Sequence, residues 1–450
     1  MYEILLEPKD KLDEDMHLIN FKERFLATDT RKRLIENFLS LSVLQIANYI
    51  LPLITFPYLV RVLGPEKFGL IAFSQAFIGY FMILTDYGFN LSATREISIN
   101  RENKEKVSEI FSSVMIIKLA LMIISLILMF VIIFFFEKFI QDWIIYYLTF
   151  GMVVGQVLFP VWFFQGMEKM KYITFLNILA KVIFTVAIFV FVKESSDYLY
   201  VPLLSSLGSI IAGILGLWIV FRDFNVEFRI PRWEGIKYQL KEGWYIFIST
   251  VAISLYTISN TFILGLFTNN TIVGYYSAAE KIIRLVQGLL APISQTIYPH
   301  ISKLMNESKE IGVKFIRKVT LLIGGFSFIL SLVIFIFADL IVRIILGSQF
   351  TESIIVLRII AFLPFIIGLS NVFGIQTMLT LNYKKAFSNI LIFASIINIT
   401  LALILVPMFK HIGISVSFLI SEIFVTGVMF LFLQNKGIKI IDFCKVGMKW

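Results

Sequence analysis

GYYSAAEKIIRLVQGLLAPISQTIYP, Gly274 to Pro299, is long enough to cross a bilayer and carries Glu280, Lys281 and Arg284 near its middle. On a helix, Ser277, Glu280, Lys281, Arg284, Gln287, Gly288, Ala291 and Gln295 fall on one side. Ile282, Ile283, Leu285, Val286, Leu289, Leu290 and Ile293 cover the other. A charge at the centre of a spanning helix costs about 2.5–3.5 kcal/mol on insertion scales. Such a residue faces a bundle interior or a watery cavity and marks a candidate functional site. Glu280 precedes Arg284 by one helical turn, so the two are expected to pair.

The rest of the chain reads as a housing for this stripe. Of its 450 residues, 58% are hydrophobic and 16% charged, against about 45–50% and 25% in soluble domains. A mean hydropathy of +0.85, spread over many apolar runs, means a polytopic membrane protein. The runs are too long for barrel strands, so helices are the spanning form. The net charge of +9 reflects basic loops on one side of the membrane and not a nucleic-acid partner. The single cysteine, Cys444, allows no disulfide framework. His17, His300 and His411 stand far apart, without zinc-type spacing. No cofactor is expected.

Twelve spans are predicted, at about 37–60, 67–90, 107–136, 142–165, 172–192, 199–222, 243–267, 271–299, 313–337, 353–379, 384–408 and 411–433. With both termini on the cytoplasmic side, 29 of the 40 Lys and Arg residues fall inside, seven outside and four within spans. That asymmetry sets the orientation. Residues 1–36 and 434–450 read as cytoplasmic tails, 37–222 and 243–433 as two six-span lobes, and 223–242 as the linker between them. EKFGLIAFSQAF resembles NTIVGYYSAAEK and puts Gly69 in register with Gly274, an offset of 205 residues. Such a repeat predicts two similarly oriented lobes around a central cavity. The amphipathic run Asp339–Gly347 reads as a shallow helix on the outside.

Besides Lys281 and Arg284, Lys118 lies within span three and Lys181 within span five, where Thr174, Asn177 and Thr185 share its face. Arg suits a phosphate with a fork of donors, and Lys with a point charge. Gln45, Asn48, Gln75, Gln156, Asn371 and Gln376 suit either sugar hydroxyls or interhelical hydrogen bonds. Asp86, near the inner end of span two, stands close to Arg95 and is a candidate gate pair with it. Glu422, Glu280 and Asp86 are the acids placed to take up a coupling proton or sodium ion, with Glu422 first.

NFLSLSVLQIANYILPLITFPYLVRVLGPEKFGL, TDYGFNLSATREIS, PVWFFQGMEKMKY and VGYYSAAEKIIRLVQGLLAPISQTIYPHIS together resemble the O-antigen and capsule repeat-unit flippases. These are the polysaccharide-transporter branch of the multidrug/oligosaccharidyl-lipid/polysaccharide exporter superfamily. The likeness runs from about Asn37 to Leu433. It implies movement of an undecaprenyl-diphosphate-linked oligosaccharide from the inner to the outer leaflet of a bacterial plasma membrane, by alternating access. It implies basic cavity residues, for which Arg284, Lys281, Lys118, Lys181 and Arg61 are the candidates here, and coupling to H+ or Na+. An O-antigen polymerase and a chain-length regulator are the partner proteins to expect, with the polyprenyl chain trailing in lipid between the lobes. A lipid II or teichoic-precursor flippase and a multidrug-type cation exporter remain alternatives on the same fold. A membrane enzyme would carry a large extramembrane catalytic segment, and the sequence has none.

Overall fold

The computed structural model describes residues 29–438 and 440. Most of the two expected tails therefore lies outside the described residues. Every regular element among the described residues is helical. The first half holds α1 (Asp29–Asp86), α2 (Phe89–Ile99), α3 (Lys104–Phe135), α4 (Glu137–Ile140), α5 (Trp143–Leu158), α6 (Val161–Gly166), α7 (Met170–Phe191) and α8 (Tyr200–Asp223). The second holds α9 (Trp233–Thr257), α10 (Ser259–Phe267), α11 (Asn270–Glu307), α12 (Lys309–Ile336), α13 (Ala338–Ile345), α14 (Ser353–Ile360) and α15 (Leu363–Asn371). A π-helical run, Val372–Leu379, and α16 (Lys384–Asn435) complete it.

Eight helical stretches among the described residues are long and apolar enough to cross a membrane. Two of them are hairpins. A straight helix of 58 residues would extend about 87 Å, against a hydrocarbon core of about 30 Å. The chain turns instead at Gly64, whose φ of 68° and ψ of 175° are open to glycine alone. Phe56 and Phe68, on opposite arms, then meet with ring centroids 5.9 Å apart. In the same way α16 breaks at Lys410, and Gly413 folds back onto the Leu405 carbonyl. α11, with its charged stripe, is not among the eight. It starts at an Asn269 cap, whose side chain accepts from the Ile272 amide at 3.0 Å, and runs on to Glu307, beyond the predicted span. α1 likewise begins at Asp29, inside the expected tail. The amphipathic run after α12 does form a short helix, α13.

Lipid-facing surface is written along the helices. Ile123, Ile127, Phe130 and Phe134 of α3 are exposed at helical spacing. Inward-facing residues form three cores. One draws on both halves, joining Phe56, Leu63, Phe68, Phe73 and Phe77 to Tyr276, Ile283, Val342, Phe350 and Ile414. The second, around Phe111, Trp162 and Phe163, lies in the first half, with Ile236, Leu240 and Phe247 of α9 packed against it; the third, around Ile301, Phe373 and Met429, lies in the second half. The halves thus share one core at the end where α1 turns, and toward the opposite end they meet through α9, whose Tyr238 hydroxyl donates to Glu96 of α2 at 3.3 Å.

The fusion rests on a crossing of α1 and α11. A Cβ built on Gly69 would overlap the Asn270 carbonyl, and one on Gly274 would overlap the Pro65 carbonyl. The two residues that the internal repeat puts in register are the two that let the halves touch backbone to backbone. Side-chain clips surround this crossing. Lys138 of α4 donates to the carbonyls of Gly265 and Thr268, the latter at 2.6 Å, at the C-terminal end of α10, where a cation suits the helix dipole. Its ammonium also lies 5.6 Å from the Phe73 ring. Burial pulls its pKa below that of a free lysine. Arg61 donates to the Ile344 carbonyl of α13.

Gly69→Ala therefore forces α1 and α11 apart, at a cost of about 1–3 kcal/mol, typical of an overpacked contact. Spin labels on exposed Glu66 and Ser348 should then report a longer distance than in the parent protein. An unchanged distance distribution would mean that the crossing does not set the closure.

Candidate functional site

Between the halves lies a cavity of 490 Å³. α1 supplies one wall, including Thr55 and Gln75, and α11 supplies the other with Ser277, Glu280, Lys281 and Arg284. Thr261 of α10 and Ser205 of α8 add hydroxyls. The first half of the stripe identified in the sequence, with all three of its charges, therefore faces an internal space, as the cost of a charge in lipid requires, whereas Gly288 further along packs on the Tyr49 ring.

Its charges are arranged with a clear division of labour. The Arg284 guanidinium donates to Glu280 at 2.8 Å across one helical turn. Glu280 is 8% exposed and Arg284 55%. The carboxylate is thus the buried anchor, and the guanidinium is the part presented to the cavity. Lys281 places its ammonium 5.3 Å from the Phe56 ring, a cation–π contact that holds the charge without neutralising it. Glu280, Lys281 and Arg284 leave this wall with one net positive charge. Hydroxyl and amide groups opposite it offer the donors and acceptors that sugars need.

The other sequence candidates are dispersed. Lys181 lines a second cavity of 370 Å³ inside the first half, with Asn177, Thr185 and Gln156; its ammonium donates to Asn48. Lys118 lines neither cavity. It is 1% exposed and donates to the Gln156 carbonyl at 3.4 Å, with Asp86 as the opposite charge acting on it. Arg61 of α1 stands at the fused end, donating to the Ile344 carbonyl of α13. Asp86 accepts from Asn90 at 2.6 Å, and among the described residues no ion pair joins it to Arg95, which is exposed at the far end of the bundle. Glu422 is buried on α16 and is not among the residues that line the central cavity. Asn371 and Gln376 act as interhelical ties, bonding the Ser294 hydroxyl and carbonyl at 2.7 and 2.9 Å.

Sequence reasoning missed three features of the site. Lys138 was only one basic residue in a short loop, and nothing in the chain pairs it with α10. At the end opposite the glycine crossing, Tyr87 stacks on Phe247 with ring centroids 4.8 Å apart, and Gly243 packs directly on Tyr87. This plug between the halves joins residues far apart in the chain. Phe184 of α7 reaches both cavities, which no periodicity reveals.

A charged cavity between two halves of an all-helical, multi-pass membrane protein defines a membrane transporter. The chain belongs to the polysaccharide biosynthesis protein family, whose model matches residues 34–305. A relative from Escherichia coli (strain K12), named "Putative O-antigen transporter", is 40% identical over 403 residues, covering 89% of this chain and 96% of the relative. Among solved structures the fold is similar to a lipid II flippase in an inward closed conformation, with a TM-score of 0.68 at 16% identity over 90% of each chain. It is also similar to an inward-facing multidrug MATE transporter of the MOP superfamily, with a TM-score of 0.62 at 15% identity, covering 90% of this chain and 99% of the other. The protein is a multi-pass transporter of the bacterial inner membrane and not an enzyme.

Truncating Arg284 leaves the buried Glu280 carboxylate without that partner. Arg284→Ala should therefore lower stability by about 1–3 kcal/mol. Adding Glu280→Gln should recover most of the loss, because the uncompensated charge disappears. Thermal unfolding in detergent of the single and double variants checks this. Equal stability of parent and Arg284→Ala would contradict the anchoring role of the pair.

Proposed function

We propose that this protein is a flippase for polyprenyl-diphosphate-linked oligosaccharide repeat units, moving them from the cytoplasmic to the outer leaflet for O-antigen or capsule synthesis. The observation that carries this reading is the cationic wall of α11, inside a cavity otherwise lined by apolar, hydroxyl and amide groups. A diphosphate is the part of such a substrate that most resists a low-dielectric passage, and Arg284 and Lys281 are the groups suited to meet it. Membership of a polysaccharide biosynthesis family and the name of the Escherichia coli relative support the same substrate class.

In this scheme the chain spans the membrane twelve times, with both termini cytoplasmic. The two hairpins each contribute two spans, α9–α10 form the seventh and α11 the eighth. Lobes 37–222 and 243–433 rock about the central cavity, and 223–242 links them. The broad fused end is the outer closure, and the narrower Tyr87–Phe247 plug is the part that yields first, toward the cytoplasm. Arg284 and Lys281 hold the diphosphate directly. Lys181 assists from the adjoining cavity, and Lys118 and Arg61 act on the walls and not on the substrate in this state. Resetting is coupled to H+ or Na+ uptake by an acid, with Glu422 first and Glu280 and Asp86 behind it. A polymerase and a chain-length regulator receive the product.

A multidrug-type cation exporter is the principal rival on this fold. It would favour acids facing the cavity, whereas the α11 wall exposes a guanidinium, lines the cavity with the Lys281 ammonium as well, and buries its one carboxylate.

Proteoliposomes containing an undecaprenyl-diphosphate oligosaccharide should show protein-dependent transbilayer movement. Arg284→Ala/Glu280→Gln, which removes the guanidinium without stranding the carboxylate, should slow it at least tenfold, about 1.4 kcal/mol. Movement at the parent rate would make the pair structural. No movement by the parent, together with export of a cationic drug, would favour the multidrug reading.

A further inference from the structure

The central cavity is one of three that meet around a single side chain. The second, of 370 Å³, lies inside the first half beside Lys181. The third is an apolar groove of 170 Å³ between α7 and α8. The exposed side chains of Ile183, Leu207 and Ile211 in its lining turn it toward lipid. Among the described residues, only Phe184 lines all three.

The wall between the second cavity and the groove is thin. Ala180, Gly208 and Ala212 line both spaces, and Phe184 is the one large side chain they share. A Cβ built on Gly208 would lie 3.6 Å from the Ala180 carbonyl oxygen and 3.9 Å from its Cβ. Here the seam is closed by ordinary contact between small groups; the Tyr172 hydroxyl donates to Asp223 across the two helices at 3.3 Å, but at one end of the pair, ten or more residues from Gly208. Polarity is graded along the same path: charged at α11, mixed around Lys181, and apolar at the lipid face.

We propose that the α7–α8 seam is a lateral slot for the isoprenoid chain of the lipid carrier, with Phe184 as its gate. This rests on the flippase reading. A carrier whose diphosphate sits against α11 has its head at mid-depth, so its chain must leave the cavity sideways through the protein. A phospholipid has its head at the membrane surface and has no reason to thread a passage that ends at a cationic wall. The gradient fits a molecule that is anionic at one end and hydrocarbon for the rest of its length. The route differs from passage between the two halves, because it runs within the first half alone.

The seam can be locked reversibly. The 3.9 Å separation lies inside the Cβ–Cβ range of about 3.5–4.5 Å for disulfides, so Ala180→Cys/Gly208→Cys on a Cys444→Ser background should cross-link when oxidised. Two readouts are made in phosphatidylethanolamine/phosphatidylglycerol vesicles. In the first, undecaprenyl diphosphate with a diazirine on its chain is photoactivated. The reduced pair should be labelled on residues 172–222, and oxidation should cut the labelling at least fivefold. In the second, oxidation should slow movement of an undecaprenyl-linked oligosaccharide at least tenfold while a citronellyl-linked one, too short to need the slot, keeps its rate. Reduction should restore both, which excludes misfolding as the cause, and each single cysteine variant should behave as the parent. The slot is overturned if a diazirine phospholipid labels the seam equally well, if the isoprenoid labels α1 and α11 instead, or if the locked protein moves the long-chain substrate at the parent rate. Should the parent move neither substrate, the flippase reading fails, and the isoprenoid-against-phospholipid labelling alone decides the slot.

Discussion

The backbone contact between Gly69 and Gly274 is the constraint on which the arrangement depends. Two membrane helices approach this closely only where neither carries a side chain at the crossing. Here the crossing joins the two halves, because α1 belongs to the first and α11 to the second. It fuses one end of the bundle into a shared core and fixes the rotation of α11. With Gly274 turned onto α1, Glu280, Lys281 and Arg284 follow one to three turns further along, on the side that faces the space below the crossing. The geometry of closure and the placement of charge thus come from one contact.

That coupling explains why the charges are tolerated. Glu280 is almost fully buried, and a guanidinium one turn away compensates it. Lys281 rests on an aromatic ring and Lys181 on an amide oxygen, so each basic group has a local support that leaves its charge in place. Lys118 is different in its setting: it is enclosed in the first half, with Asp86 as its opposite charge. The same residue type within a predicted span therefore occurs in two physical settings, one facing a cavity and one enclosed by packing.

Much of this was legible in the chain. The α11 stripe, the Glu280–Arg284 pair and the amphipathic α13 follow from helical spacing alone. The register of Gly69 with Gly274 was visible as a repeat, but that the two residues touch was not, since a repeat gives equivalence and not contact. Sequence periodicity also cannot tell a basic residue that faces a cavity from one that faces a neighbouring helix. Lys118 and Lys181 look alike by that measure, and only packing separates them. Lys138, the Tyr87–Phe247 plug and Phe184 act through partners far away in the chain, for which a single sequence carries no signal. Asn371 and Gln376, readable either as sugar contacts or as helix ties, are ties to Ser294.

The most direct test is to locate a bound substrate. A cryo-electron microscopy structure of the protein in nanodiscs with an undecaprenyl-diphosphate oligosaccharide should place the two phosphorus atoms beside the Arg284 guanidinium and the Lys281 ammonium, within hydrogen-bonding reach of their nitrogens. Diphosphate density away from α11, with the central cavity holding no part of the molecule, would contradict the account.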